Sequence, residues 1–305
     1  MISGVALAGT FKLPATGQTI CYDIIGNVIS CPAPGQPLAQ DGSYNINPLS
    51  YTDNGNGTVT DNNTGLMWQK EDDGLTYNWY KASGTYDATY NPSSQDVCGA
   101  LNLGSYSDWR LPSREELITI VDYGIPYYLG PTIDTTYFPN TSPGEYWSST
   151  TSASNPIDAW LVDFEGGVVW GIHKGYLSPN VRCVRGEQLI FGNFTDNSNG
   201  TVTDNKTGLM WQQGEGGSTT WDSALSYCEG LSLGGHSDWR VPDIKELASI
   251  SDDTRRNPAI DTAYFTYFPE PPTTYYWSST TCAGSPNGKW IVDFSNCYLV
   301  SVHKL

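Results

Sequence analysis

The groups from which this 305-residue chain could build chemistry are few: three histidines, seven cysteines and 32 carboxylates. A histidine acting as a base needs a nucleophile or carboxylate at a fixed spacing. No such spacing surrounds His173, His236 or His303, and His173 and His303 read as satisfied residues at strand edges. Zinc would require clustered Cys/His spacing, which is absent. Asp53, Asn54, Asn56 and Asp61 look like a calcium loop, but Gly55 and Gly57 fall where ligands should stand and no bidentate Glu follows. Turn chemistry accounts for them without a metal. The expectation is a protein that is not an enzyme and has no catalytic residues, metal ligands or cofactor, calcium being the one ion worth testing.

An internal repeat positions every candidate residue. The run Tyr51-Thr-Asp-Asn-Gly-Asn-Gly-Thr-Val-Thr-Asp-Asn-Asn-Thr-Gly-Leu-Met-Trp68 recurs from Phe194 to Trp211, and Ser107-Asp-Trp-Arg-Leu-Pro112 recurs as Ser237-Asp-Trp-Arg-Val-Pro242. Tyr146-Trp-Ser-Ser-Thr-Thr151 matches Tyr276–Thr281, and Trp160-Leu-Val-Asp-Phe164 matches Trp290–Phe294. The order is shared, so the chain is a tandem duplication of one small module. In each copy the Asn/Gly clusters predict a three-stranded meander. A helix follows, over about 94–101 in the first copy and 221–231 in the second. A second helix opens on the capping boxes Ser113-x-x-Glu116 and Asp243-x-x-Glu246. Two alternating strands come next, and in the first copy a closing strand covers 180–185. The second copy ends about ten residues short of that strand.

The cysteines fit this scheme. Cys21 and Cys31 flank a hairpin turning at Gly26-Asn27, and Cys98 with Cys183 would tie the ends of the first module. Cys282 and Cys297 would bridge neighbouring loops of the second, leaving Cys228 over. The recurring Trp68/Trp211, Trp109/Trp239, Trp147/Trp277 and Trp160/Trp290 read as core, because both copies must build the same interior. Arg110 and Arg240 read as bidentate partners of a carboxylate or of loop carbonyls, fixing the loop before the second helix.

Composition narrows the function classes. A net charge of −17 opposes phosphate backbones and anionic membranes, so no nucleic acid is expected as partner. No apolar run is long enough to span a bilayer, so no membrane insertion is expected. Residues 1–8, MISGVALA, end in an A-x-A-like cleavage site and read as a signal-peptide remnant. Together with the disulfide pattern this places the protein outside the cell or on its surface. The organisation is 1–8 leader, 9–49 N-terminal arm, 50–186 first module and 191–305 second module without a closing strand.

The combination T-D-N-x-x-G-T-V-T-D-N-x-T-G-L-M-W, S-D-W-R-L-P, Y-W-S-S-T and V-R-C-V-R resembles the Lcl C-terminal domain family, a bacterial module named from a collagen-like adhesin. The resemblance covers both copies. It implies an α+β fold: two tandem C-type-lectin-like modules, each with two helices and short, mostly antiparallel strands, stabilised by disulfides. It also implies the Cys98–Cys183 bond. Oxygen-dependent chemistry of the related formylglycine-generating group would need two reactive cysteines in one pocket, which the expected pairing leaves no room for.

In related lectin-like folds the loops after the Tyr-Trp-Ser-Ser-Thr strand carry ligand contacts. The resemblance therefore places a candidate site at Ser152, Asn155, Asp158, Trp170 and His173, with Asn287, Lys289, Tyr298 and His303 in the second module. Trp170, which lacks a counterpart aromatic, reads as an exposed contact of the first module. The expected activity is recognition of a glycan or other surface or matrix ligand by an adhesin-like protein. The competing expectation is self-assembly into an extracellular filament, the N-terminal arm completing a neighbour's module.

Overall fold

The computed structural model describes residues 2–3, 9–176, 179–265 and 275–303, and of residues 2, 3 and 303 the backbone alone. The expected leader, residues 1–8, thus lies outside the described residues except for Ile2 and Ser3. The chain divides into two units, one of Leu49–Leu189 and one joining Met1–Pro48 to Ile190–Leu305. The fold is α+β, dominated by short antiparallel strands, with four short α-helices among the described residues.

Residues of the expected leader form β1 (Ile2–Ser3), and the arm contributes a hairpin of β2 (Cys21–Tyr22) and β3 (Val28–Ile29), clipped by a Cys21–Cys31 disulfide. Module one begins with the expected meander: β4 (Tyr51–Asp53), β5 (Thr58–Asp61) and β6 (Met67–Gln69). Asp53 Oδ1 accepts from the Gly55 amide at 2.9 Å, and Gly55 and Gly57 take φ of 71° and 85°, which a side chain would resist. Helix α1 (Trp79–Ser83) and α2 (Arg114–Thr119) follow, then β7 (Glu145–Thr151), β8 (Asp158–Asp163), β9 (Val169–His173) and β10 (Val184–Arg185). Strands β7, β8 and β9 form an antiparallel ribbon, and β10 closes the meander against β6.

Module two repeats the plan with β11 (Phe194–Asp196), β12 (Thr201–Asp204), β13 (Met210–Gln212), α3 (Trp221–Glu229), β14 (Trp239–Arg240), α4 (Ile244–Ser249), β15 (Tyr275–Thr281), β16 (Gly288–Asp293) and β17 (Tyr298–His303). Both capping boxes close as expected, Ser113 with Glu116 and Asp243 with Glu246. The helix expected over 94–101 is instead irregular turns. Its counterpart α1 lies earlier and stops at Gly84, whose φ of 73° ends the helix in the left-handed region. Nineteen positions separate Trp79 from Cys98, against seven between Trp221 and Cys228, so module one carries an insertion where module two has one continuous helix.

The recurring tryptophans lie in or against the core, and the N–H groups of Trp109 and Trp239 donate to the Leu103 and Leu233 carbonyls. Trp79 and Trp221 donate to the Ser148 and Ser278 carbonyls, both at 2.8 Å, and Trp147 donates to Tyr77 O at 2.8 Å. Cys98 and Cys183 are bonded inside the cluster of Trp79, Trp109, Trp147 and Leu161. The expected Cys282–Cys297 bridge does not form. Thr281, next to Cys282, opposes Lys289, whereas Cys297 lies in the β16–β17 turn beyond Asp293. Roughly 15 Å of strand separates the two ends, and the Cys297 Sγ lies instead 3.7 Å from the Asp252 carbonyl.

The arm folds onto module two of its own chain. Gln18 presents its amide to Thr281 like a strand edge, donating to the carbonyl at 2.7 Å and accepting from the amide at 3.0 Å. Asp41, almost fully buried, accepts from the Thr16 and Thr280 hydroxyls, each at 2.7 Å. Strand β1 lies between β13 and β14, pairing Ile2 with Trp211 and Arg240. The position that β10 fills in module one is thus filled in module two by β1.

Candidate functional site

Both modules use the charges that recur between them to build scaffold. Arg110 makes a bidentate bond to Glu116, both contacts at 2.7 Å, and Arg240 does so to Glu246 at 2.7 and 2.6 Å. Each pair anchors the loop before α2 or α4 through the same Glu that caps the helix, the carboxylate option of the sequence expectation. Asp108 pairs with Arg185, whose guanidinium lies 3.7 Å from the Tyr106 ring centroid. The Asp53 and Asp61 side chains accept from turn amides, and Lys70 neutralises Asp53 at 2.7 Å. Among the described residues no three His, Cys, Asp or Glu side chains converge as a metal would require.

Of the expected site in module one, the structure brings four residues to one end of the β7–β9 ribbon. The Ser152 amide donates to Asp158 O at 3.1 Å, Asn155 Nδ2 donates to Asp158 Oδ2 at 2.8 Å, and Asp158 opposes His173 in the ladder. Ser152 is buried, Asn155 and His173 are exposed and Asp158 is half-buried. His173 Nδ1 accepts from the Gly175 amide at 3.0 Å, which directs its Nε2 edge outward. Trp170 departs from the expectation. It opposes Leu161 and packs half-buried on the core cluster, because three residues along a strand place it on the face opposite His173.

Residues not singled out by motif complete this end. Tyr80 and Tyr90 stack with centroids 5.5 Å apart and planes 4° from parallel, and Tyr90 meets the His173 ring edge-on at 6.2 Å. Tyr90 is held by the insertion: Asn78 Nδ2 donates to its carbonyl at 3.0 Å, and Gly175 allows the ring so close that a Cβ there would lie 2.7 Å from it. Burial and the nearby Asp87 raise the Tyr80 phenol above its usual range, so it stays a neutral donor. Lys174 is buried beneath, its Nζ 4.2 Å from the Trp79 ring centroid and bonded to Thr151 Oγ1 and Pro156 O. Desolvation draws its pKa down, opposed by Asp158. The unequal spacings of Trp79 to Cys98 and Trp221 to Cys228 are the signal in the sequence by which these tyrosines could have been found.

The expected residues of module two do not assemble. Lys289 is buried, with Nζ 4.3 Å from the Trp221 ring centroid and 2.8 Å from Pro286 O. It does for α3 what Lys174 does for α1, from a different strand position. Tyr298 opposes Asp293 and His303 opposes Gly288, so these two stand at opposite ends of β17. The His303 side chain lies outside the described residues. Asn287 is exposed but faces the arm, its Oδ1 2.5 Å from where a Cβ on Gly26 would sit. Elsewhere in module one an open depression of about 650 Å³ is lined by Asp73, Tyr77, Asp96 and their neighbours and includes none of the expected site.

The sequence profile of the Lcl C-terminal domain matches residues 57–185 and again residues 200–304, which together make up most of the chain. The chain belongs to the Lcl C-terminal domain family. A search of curated proteins finds no match. Two Lcl C-terminal modules in tandem, only the first carrying the tyrosine-bearing insertion, agree with a shared scaffold and a surface particular to one copy.

Proposed function

We propose that the protein is an exported, non-catalytic binding protein, adhesin-like, with C-type-lectin-like modules, and that module one recognises a glycan or another surface or matrix ligand. The observation that carries this reading is the Tyr80–Tyr90 stack with His173 beside it, at the end of a rigid ribbon that also offers Asn155 and Asp158. The exposed Tyr90 ring, backed by the half-buried Tyr80, would supply an apolar surface for a sugar ring, and the carboxylate and amide would supply hydrogen bonds that select hydroxyl geometry. Loops held on a rigid scaffold commonly carry such sites. The acid-rich surface favours a neutral or cationic ligand over a sulfated one. No turnover is part of this proposed function.

A glycan array with the oxidised protein, run with calcium and again with chelator, tests it. A saturable hit that Tyr90→Ala abolishes supports the reading, and its survival in chelator supports recognition without a metal. A folded protein that gives a blank array counts against it.

A further inference from the structure

The outer edge of β15 in module two is closed by the arm, and the same edge of β7 in module one is open at its end. Both strands keep one register: Thr151 opposes Ala159, and Thr281 opposes Lys289. In each copy the next residue bonds back into the ribbon, the Ser152 amide to Asp158 O at 3.1 Å and the Cys282 amide to Gly288 O at 3.0 Å. Antiparallel pairs alternate, so the amide and carbonyl of Thr151, like those of Thr281, point away from the ribbon. Two residues earlier the outward amides are met alike, Ser149 by Pro112 O at 2.7 Å and Ser279 by Pro242 O at 2.8 Å.

From there the copies differ. Gln18 of the arm takes both outward groups of Thr281, the Thr280 hydroxyl donates to Asp41, and Lys245 Nζ donates to Ala15 O at 3.0 Å. The arm hairpin also reaches the loop after β15, Gly26 lying against Asn287. Ser279, Thr280 and Thr281 are buried beneath it, whereas Ser149, Thr150 and Thr151 are half-buried. Thr150 Oγ1 accepts from the Arg114 amide at 3.1 Å, as Thr280 does from the Ile244 amide at 3.0 Å, but its own proton meets no acceptor among the described residues. The outward amide and carbonyl of Thr151 likewise meet no partner among the described residues. One charge is exchanged: Glu115, bonded to Arg114 at 3.0 Å, stands where module two has Lys245. An unpaired edge of this kind is a template for another chain.

We propose that the β7 edge of module one, at Thr150 and Thr151, holds a loop of another protein in the way that the β15 edge holds the arm. The segment Ala15-Thr-Gly-Gln18 shows the chemistry this takes. Its glutamine side chain stands in for a strand, and Gly17 turns the chain at a φ of 88°, which a side chain would resist. The partner loop therefore carries a glycine–glutamine pair, whose carboxamide donates to the Thr151 carbonyl and accepts from the Thr151 amide. Because Glu115 replaces Lys245, the loop also carries a lysine or arginine two residues before the glycine. The chain's net charge of −17 attracts the same cationic segment. Strand β8 separates this edge from β9 and from the Tyr80–Tyr90–His173 end. The inference thus does not depend on the ligand reading of that end.

The test uses the full chain and a peptide copying residues 13–19 with Ala15→Lys. The expected result is saturable binding that slows hydrogen exchange of the Thr151 amide and leaves that of Thr281 unchanged. Gln18→Ala in the same peptide should weaken binding at least about tenfold, and the peptide with Ala15 kept should bind about threefold more weakly. In the protein, Thr151→Pro removes the outward amide without costing the ribbon a ladder bond and should abolish binding, unchanged exchange on β8 showing that the module is intact. Glu115→Gln should remove only the preference for the lysine peptide. Equal binding of the Gln18→Ala peptide, slowed exchange confined to Thr281, or no binding at about 1 mM peptide would overturn the proposal. A blank glycan array leaves this test unaffected, and the converse holds.

Discussion

Removing the Cys98–Cys183 bond from module one offers a prediction with an internal control. The bond closes a loop with sequence separation 85, and both cysteines are buried in the core cluster. In the chain-entropy account such a closure is worth about 4.5 kcal/mol, and measured values usually fall lower, at about 2–4 kcal/mol. The double variant Cys98→Ala, Cys183→Ala leaves no stray thiol. Amide hydrogen exchange read on β8 reports the opening of module one, and exchange on β16 reports module two, whose equivalent cysteine is already unbonded. At about 1.4 kcal/mol per decade, the β8 amides should exchange roughly thirty- to a thousandfold faster, while β16 should be unaffected. An acceleration of β8 below about fivefold, or an equal acceleration of β16, would refute the assignment of this bond as the clasp of one module alone.

Three further outcomes follow from buried charges and the arm. Burial pushes the Asp41 carboxyl up to about 6 from 3.8, so the folded chain takes up this proton before the unfolded chain does. The ionised form therefore weakens the folded state above about pH 6, by at most about 3 kcal/mol, and the weakening fades as pH falls towards 4. Asp41→Asn should then stabilise module two at pH 8 and have little effect at pH 4 in urea titrations; destabilisation at pH 8 would contradict this. Arg240→Ala should cost about 3–5 kcal/mol because it leaves Glu246 buried without its partner, whereas Arg110→Ala, whose side chain is 28% exposed, should cost less in the same titration. Lys174→Met, which keeps the bulk over Trp79 but forfeits the bonds to Thr151 and Pro156, should loosen the 152–158 loop, seen as faster exchange of its amides with β8 unchanged.

The sequence carried the scaffold more fully than the site. The repeat located both modules, the capping boxes placed α2 and α4, and the matched tryptophans marked the core, because each of these is a local pattern duplicated under the same packing constraint. The disulfide of module one was expected from the placement of Cys98 and Cys183 and from the family resemblance, and it forms. The bridge expected between Cys282 and Cys297 does not form, since closeness in sequence conceals a strand hairpin that carries the two to opposite ends. Lys289 looked like a loop charge but lies on β16 over Trp221, its cation–π partner on α3. Trp170 was misread because strand alternation, not the absence of a counterpart, decides which face it joins. The arm's docking on module two rests on Gln18 and Asp41, single polar residues whose partners lie more than 200 positions away.

The central claim is that the Tyr80–Tyr90–His173 end of module one holds a ligand. The most direct measurement is the affinity of the full chain for the best array hit, compared with Tyr90→Ala, Asp158→Ala and a module-two control such as Tyr298→Ala. Loss of at least about tenfold in the first two, with the control unchanged, is the predicted result. Binding that survives both module-one substitutions, in variants that keep the fold, would contradict the account.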